Sequence, residues 1–351
     1  MSRARNLVRV VSLGGGNGLA CLLKGLKHGV LEPPLVQRPA SKAWISRLTA
    51  VVTVTDDGGS SGRLRNELQV LPPGDIRNCL VALSTDESLL SQLFQYRFTG
   101  TGALRGHSFG NLLLTALTGV TGDFLKAIRL SSRVLAIRGR IYPSTLHDVR
   151  LEAYLADGIR VRGESAISGT SSRIRKIALS PRNCRPVPAV LHAIRTADII
   201  TVGPGSLYTS LLPNLLVPGI ADEIRKARAL KVFIGNLMTQ PGETQGFTTS
   251  DHLEAIYSHA GNHLFDAIIL NNKPIAKTIL ALYKERGSIP VVTDFKRIRD
   301  LGLTVLKGDL LAQERAIRHD PKLLAAALFV AHKQWTTSEL LTRAKQSLPS
   351  L

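Results

Sequence analysis

Short β-branched apolar runs in this chain each give way to a glycine or polar loop and then to helical spacing, an alternation that predicts a parallel α/β sheet. The first unit is "LVRVVSLGGGNGLACLLKGLKHG", where Leu19, Leu22, Leu23 and Leu26 recur at helical intervals and Gly29 closes the pattern. "RLTAVVTVTDD" reads as a second buried strand. "LPPGDIRNCLVALS" starts a helix behind Pro72 and Pro73, with Asp75 placed to cap it, and "GHSFGNLLLTALTGVTGD" starts another with His107, Ser108 and Asn111 at its polar mouth.

Over residues 134–179 the period changes to two, in "VLAIRGRIYP", "GIRVRGESAI" and "SRIRKIAL", which predicts a small antiparallel subdomain. The earlier rhythm returns in "TADIITVGPGSLYTSLLPNLL", "ALKVFIGNLMTQPGETQGFTTSDHLEAIYSHAG", "FDAIILNN" and "IPVVTDF", each opening as a strand. The expected fold is α/β, a doubly wound and mostly parallel sheet carrying an inserted small antiparallel β subdomain. Its expected bounds are 1–133 and 186–320 for the main domain, 134–185 for the insertion and 321–351 for a C-terminal helical tail. Residues 30–47, with three prolines and Trp44, have no period and read as a connecting insertion.

Composition narrows the function. Lys and Arg number 45 against 26 Asp and Glu, a net charge of +19 that points to anionic partners. The richest basic stretch, "SSRIRKIALSPRNCR", has no aromatic residue to stack on bases and reads first as a solvated face, so nucleic acid is disfavoured. Cys21, Cys79 and Cys184 are far apart and suggest neither a disulfide framework nor a zinc site, which fits a reducing cytoplasm. No apolar run approaches the ~18 residues of a membrane span, so no membrane insertion is expected.

Candidate chemistry gathers at strand ends. "GGGNG", comprising Gly14, Gly15, Gly16, Asn17 and Gly18, follows one strand and opens a helix, where free N–H groups bind phosphate; a tight turn is the equal alternative. The loop is neither G-x-G-x-x-G nor a P-loop, which disfavours a standard NAD site. Gly203, Pro204, Gly205 and Ser206 make a second glycine turn after a strand; two such turns in one open sheet would line one crevice. In "TVTDDGGSSGR", Asp56 and Asp57 could hold a hydrated Mg²⁺ or accept sugar hydroxyls, with Ser60, Ser61 and Arg63 meeting phosphate. The alternative is an Asx turn at Asp56 with Asp57 solvated. Asp75, Arg77 and Asn78 share a helix start, His107 and Asn111 share one helical face, and Asn236 and Thr239 lie in a polar loop suited to hydroxyl recognition. Asp251 and Glu254 read as a capping box for the helix after that loop.

Together, "GGGNG", "VTVTDDGGSSGRLR", "PPGDIRNCLVALS", "GHSFGNLLL", "TGDF", "GPGSLYTSLLPNLLVPGI" and "NLMTQPGETQGFTTSDHL" resemble the gluconeogenesis factor (YvcK-like) branch of the CofD-like superfamily. The resemblance implies a Rossmann-like fold and binding of a UDP-sugar, UDP-N-acetylglucosamine in particular, with no required cofactor and Mg²⁺ as an optional ion on Asp56 and Asp57. It implies a cytoplasmic regulator linking carbon metabolism to cell-wall synthesis and cell shape, with cell-wall synthesis proteins and a second copy of the chain as candidate partners. It also draws in Tyr283 as a base or ribose contact and Arg318 as a diphosphate contact. Asn17 stands where the family usually has threonine, and the 30–47 connection is longer than usual. No nucleophile or general base is evident, so no catalytic residue is assigned; the competing reading is a Mg²⁺-dependent phosphotransferase like the phospholactate-transferring branch.

Overall fold

The structure, a computed structural model, describes residues 7–31, 43–85, 89–312 and 316–346. Ten strands fall in two sheets. In chain order they are β1 (Val8–Gly14), β2 (Ile45–Val52), β3 (Arg140–Pro143), β4 (Arg150–Leu155), β5 (Arg160–Arg162), β6 (Ile174–Ser180), β7 (Ile199–Val202), β8 (Leu230–Ile234), β9 (Ala267–Asn271) and β10 (Thr304–Gly308). The large sheet is parallel throughout, in the order β10-β9-β8-β7-β1-β2-β3, and the small one is antiparallel, in the order β5-β4-β6.

Alternation along the strands divides the apolar side chains between two cores. Val11, Leu13 and Val51 face one layer while Val10, Leu48, Ala50 and Val52 face the other. Both faces are covered by helices, so the central strands read as unbroken apolar runs. No helix among the described residues is long and apolar enough to cross a membrane.

Two expectations change. "VLAIRGRIYP" does not belong to the inserted subdomain, because Arg140–Pro143 pairs in parallel with β2 at the edge of the large sheet. An edge strand that buries Ile141 and exposes Arg140 alternates in the same way as a half-buried antiparallel strand. The insertion is therefore β4 to β6 with the short helix Glu164–Ser168. "IPVVTDF" forms only isolated bridges from Pro290 and Val292, the latter 62% exposed, and β10 further along supplies the sheet edge. The expected C-terminal helix is Pro321–Gln346, and its start packs on the main domain: Leu324 and Leu328 are fully buried, and a Cβ on Gly25 would meet the Pro321 carbonyl oxygen. Of the 30–47 insertion, Ile45 already lies in β2, and residues 32–42 fall outside the described residues.

Two of the fastenings between the insertion and the large domain run through Arg65 and His259. Arg65, almost fully buried, donates from Nε to Asp148 Oδ1 at 2.8 Å and from Nη2 to the Val149 carbonyl at 2.6 Å. His259 accepts from the Ile177 N–H at 3.0 Å through Nε2.

Candidate functional site

Chain order in the sheet reverses between β1 and β7, and the two glycine turns follow those two strands. Open α/β sheets bind ligands where strand order reverses, outside the carboxyl ends of the strands. The helix Gly16–Leu26 begins at Gly15 with no side-chain cap from that residue, so the N–H groups that follow Gly16, whose own N–H goes to Asp75, stay available to an anion. A Cβ on Gly18 would lie 2.3 Å from the Pro204 oxygen and 2.9 Å from the Gly205 Cα, so the two turns touch backbone to backbone.

Buried amides hold both turns in place. Asn214 Nδ2 donates to the Gly14 carbonyl at 3.0 Å, and Asn236 Nδ2 donates to the Gly205 carbonyl at 2.9 Å. Gln240 Nε2 reaches Ser206 Oγ at 2.7 Å. Asn236 thus supports the turn, and its buried Oδ1 has no partner within the chain. Thr239 is fully engaged elsewhere: its Oγ1 accepts from the Ile289 N–H at 3.0 Å and its carbonyl from Ser288 Oγ at 2.6 Å.

On the β2 side the two aspartates part. Asp56 Oδ1 accepts from the Gly58 N–H at 2.9 Å, the Asx turn, while its other oxygen lies against Gly74. Asp57 is not solvated but turns to the insertion, where Oδ1 accepts from both the N–H and Oγ of Ser165 at 2.9 Å. The carboxylates therefore do not converge as one pair. The nearer neighbour of Asp56 across the crevice is Asp75, which is not a cap: the helix Gly74–Leu83 is capped at Pro73, and Asp75 Oδ2 lies beside Gly15. Burial and the Asp56 charge push the Asp75 carboxyl up to about 7, against a hydrogen bond from Gly16. Glu164 completes this cluster, pushed to about 9 by burial and by Asp75, Asp56, Glu243 and Asp57.

Ser60 and Ser61 are buried in the first turn of the helix Gly59–Leu68. Ser60 Oγ meets His107 Nδ1 at 3.0 Å and Asn111 Nδ2 at 3.1 Å, so the i, i+4 pair does face one place. Burial and nearby Arg63 hold the His107 imidazole below its ordinary value, leaving it neutral at pH 7. Arg63 itself donates to the Arg105 carbonyl, on the exposed side. Arg77 is buried, bonded to Asn78 Oδ1 at 2.7 Å, with its Nε unpartnered. Asn17, Asn78 and Arg318 line one cavity of about 550 Å³ with Lys24 and Gln95, and Tyr283 accepts from the neighbouring Ile317 N–H at 3.1 Å. Arg318 is thereby brought to the glycine helix, while Tyr283 fixes the backbone beside it.

The capping box lies one turn earlier than expected: Thr248 accepts from the Asp251 N–H and Asp251 accepts from the Thr248 N–H. Glu254 instead meets Arg297 at 2.7 Å. Glu164 and Asn214 join the site only through tertiary placement.

The family profile described as 2-phospho-L-lactate transferase CofD matches residues 10–311. The "Gluconeogenesis factor" of Halalkalibacterium halodurans is 45% identical over 330 residues, 94% of this chain and 98% of that one. The chain belongs to the gluconeogenesis factor family. The family protein of Bacillus subtilis is 45% identical over 321 residues, 91% of this chain and 96% of that one. The crystal structure of protein BH3568 from Bacillus halodurans superposes with a TM-score of 0.85 at 45% identity, covering 92% of this chain and 99% of that one.

The Asp57 tether gives a local prediction for this family member. Asp57→Ala removes the one oxygen that accepts both Ser165 hydrogen bonds and should cost about 1 kcal/mol. Amide exchange in the helix Glu164–Ser168 should accelerate while the large sheet stays protected; unchanged exchange would show that the tether is idle.

Proposed function

We propose that this gluconeogenesis factor binds a nucleoside-diphosphate sugar, UDP-N-acetylglucosamine, across the β1/β7 switch point without turning it over, and that binding reports carbon supply to cell-wall synthesis. The observation that carries the reading is the direct contact of two glycine turns at Gly18 and Pro204, which gives a diphosphate one continuous backbone cradle. Arg318 and Asn17 lie on one side of that cradle, in reach of phosphate and ribose. On the other side Asp56, Asp75 and the neutral His107 are suited to sugar hydroxyls, with Asp75 able to donate when protonated.

Calorimetric titration tests it, with UDP-N-acetylglucosamine against UDP-glucose, GDP and NAD, with and without Mg²⁺, at about 0.15 M salt. Saturable UDP-sugar binding without loss of ligand is expected. Absence of UDP-sugar binding overturns the reading.

A second reading, a metal-dependent phosphotransferase, draws on the raised Asp75 carboxyl. Two carboxylates that repel each other are relieved by a cation, so Asp56 with Asp75 fit a divalent ion better than Asp56 with Asp57. When bound, such an ion would neutralise a transferring phosphoryl group. Among the described residues no group of three or more His, Cys, Asp and Glu is arranged to hold a metal, so substrate and water would complete its shell. Binding of GDP only with Mg²⁺, lost in Asp56→Asn, would select this reading.

A further inference from the structure

A second cavity, of about 540 Å³, lies between the small sheet and the helix Thr249–Ala260, away from the glycine turns. Tyr208 and Phe247 contribute its aromatic lining, Arg173 and Arg175 its cations, and Asp251 and Glu254 its acids. Tyr208 is 2% exposed and lines this cavity. Burial pushes this phenol up to about 12, with Arg173 opposing the rise, so the hydroxyl stays protonated beside that guanidinium. A phenol O–H at the cavity wall is a donor that an entering acceptor can meet.

The other polar groups decide what kind of acceptor. His259 has both ring nitrogens engaged, with the Ile177 N–H and the Ala255 carbonyl. Arg297 bonds Asp251 at 3.3 Å and Glu254 at 2.7 Å, which offsets their charge but leaves lone pairs for hydroxyl groups. Arg173 and Arg175 have no carboxylate partner among the described residues; Arg173 lies 5.5 Å from the Phe247 ring centroid. The cavity is thus a cationic pocket with hydroxyl acceptors at one edge.

We propose that this cavity binds a small phosphorylated sugar, its phosphate held by Arg173, Arg175 and the Tyr208 hydroxyl and its hydroxyls by Asp251 and Glu254. The phosphate oxygens accept from the phenol hydroxyl and from both guanidinium groups at once. Because Tyr208 follows Ser206 by two residues, the occupant sits behind the second glycine turn, in a site distinct from the switch-point crevice. The proposal does not depend on which ligand the crevice takes.

The test is calorimetry on the full chain at about 0.15 M salt, with glucose 6-phosphate as probe and inorganic phosphate and glucose as separate arms. Saturable binding of glucose 6-phosphate with Kd near or below ~1 mM is expected. The double variant R173Q/R175Q, at two exposed positions, should weaken it at least about tenfold with the melting temperature unchanged. Tyr208→Phe should also weaken it with little change in melting temperature. No saturable binding up to ~10 mM overturns the proposal. Equal affinity in the double variant, displacement by UDP-N-acetylglucosamine, or inorganic phosphate binding as tightly as the ester would each overturn it too.

Discussion

Gly18→Ala should lower affinity for the sugar nucleotide by at least about tenfold and destabilise the fold, although alanine is the better helix former. Gly18 lies in the helix Gly16–Leu26, and alanine there gains roughly 1 kcal/mol of helix propensity. The added carbon, however, would lie 2.3 Å from the Pro204 oxygen and 2.7 Å from its carbonyl carbon. Both obstacles are backbone, so no side chain can rotate away, and overpacking of this kind costs about 1–3 kcal/mol. The clash outweighs the propensity and forces the two turns apart, which breaks the cradle. Gly119→Ala is the internal control, because its Cβ meets nothing within 4 Å and it also lies in a helix, Phe109–Thr121. That variant should bind normally and melt at the same temperature or slightly higher. Wild-type affinity in Gly18→Ala, measured by calorimetry beside the control, would remove the glycine turns from the binding site.

What the chain discloses on its own depends on how local each feature is. The strands of the large sheet and the glycine turns announce themselves because apolar runs and turn residues are contiguous in sequence. The pairing of the turns is also foreseeable, since both follow strands of one open sheet. Side-chain direction is harder. Asp56 and Asp57 look like one pair in the text, yet one closes an Asx turn and the other reaches Ser165, 108 residues away. Asp75 looks like a cap because aspartate often caps, but Pro73 takes that place and the carboxylate turns toward Gly15. Edge strands mislead for a related reason: β3 alternates like a hairpin strand although it belongs to the parallel sheet. Glu164 is invisible in the sequence because nothing in "VRGES" marks it, and only the fold sets it among four other acids.

That placement of Glu164 leads to the second large effect: between about pH 7 and about pH 9 the protein should lose stability, and Glu164→Gln should remove most of the loss. An acid whose folded value lies above its ordinary 4.5, here about 9, contributes stability that is complete below the ordinary value and disappears as pH rises through the folded one. Asp75 acts in the same direction over a lower window, from 3.8 to about 7. Other groups oppose this only at lower pH. His107, His252, His259, His319 and His332, all held below 6.5 by burial, add stability as pH rises toward that value and nothing above it. Asp198 and Asp294, held below 3.8, act only in acid. Glu243, also held above 4.5 by burial, acts in the same direction, so the Glu164→Gln variant rather than the window alone isolates Glu164. Discounted for solvent screening of a half-buried group, the loss is on the order of 1–2 kcal/mol, a shift of a few degrees in melting temperature. Asp75→Asn should instead flatten the profile below about pH 7, so the two substitutions separate the two acids. A melting temperature that stays level in the wild type from pH 7 to 9 would mean that Glu164 ionises freely, and that Asp56, Asp57 and Asp75 do not share a dry cluster with it.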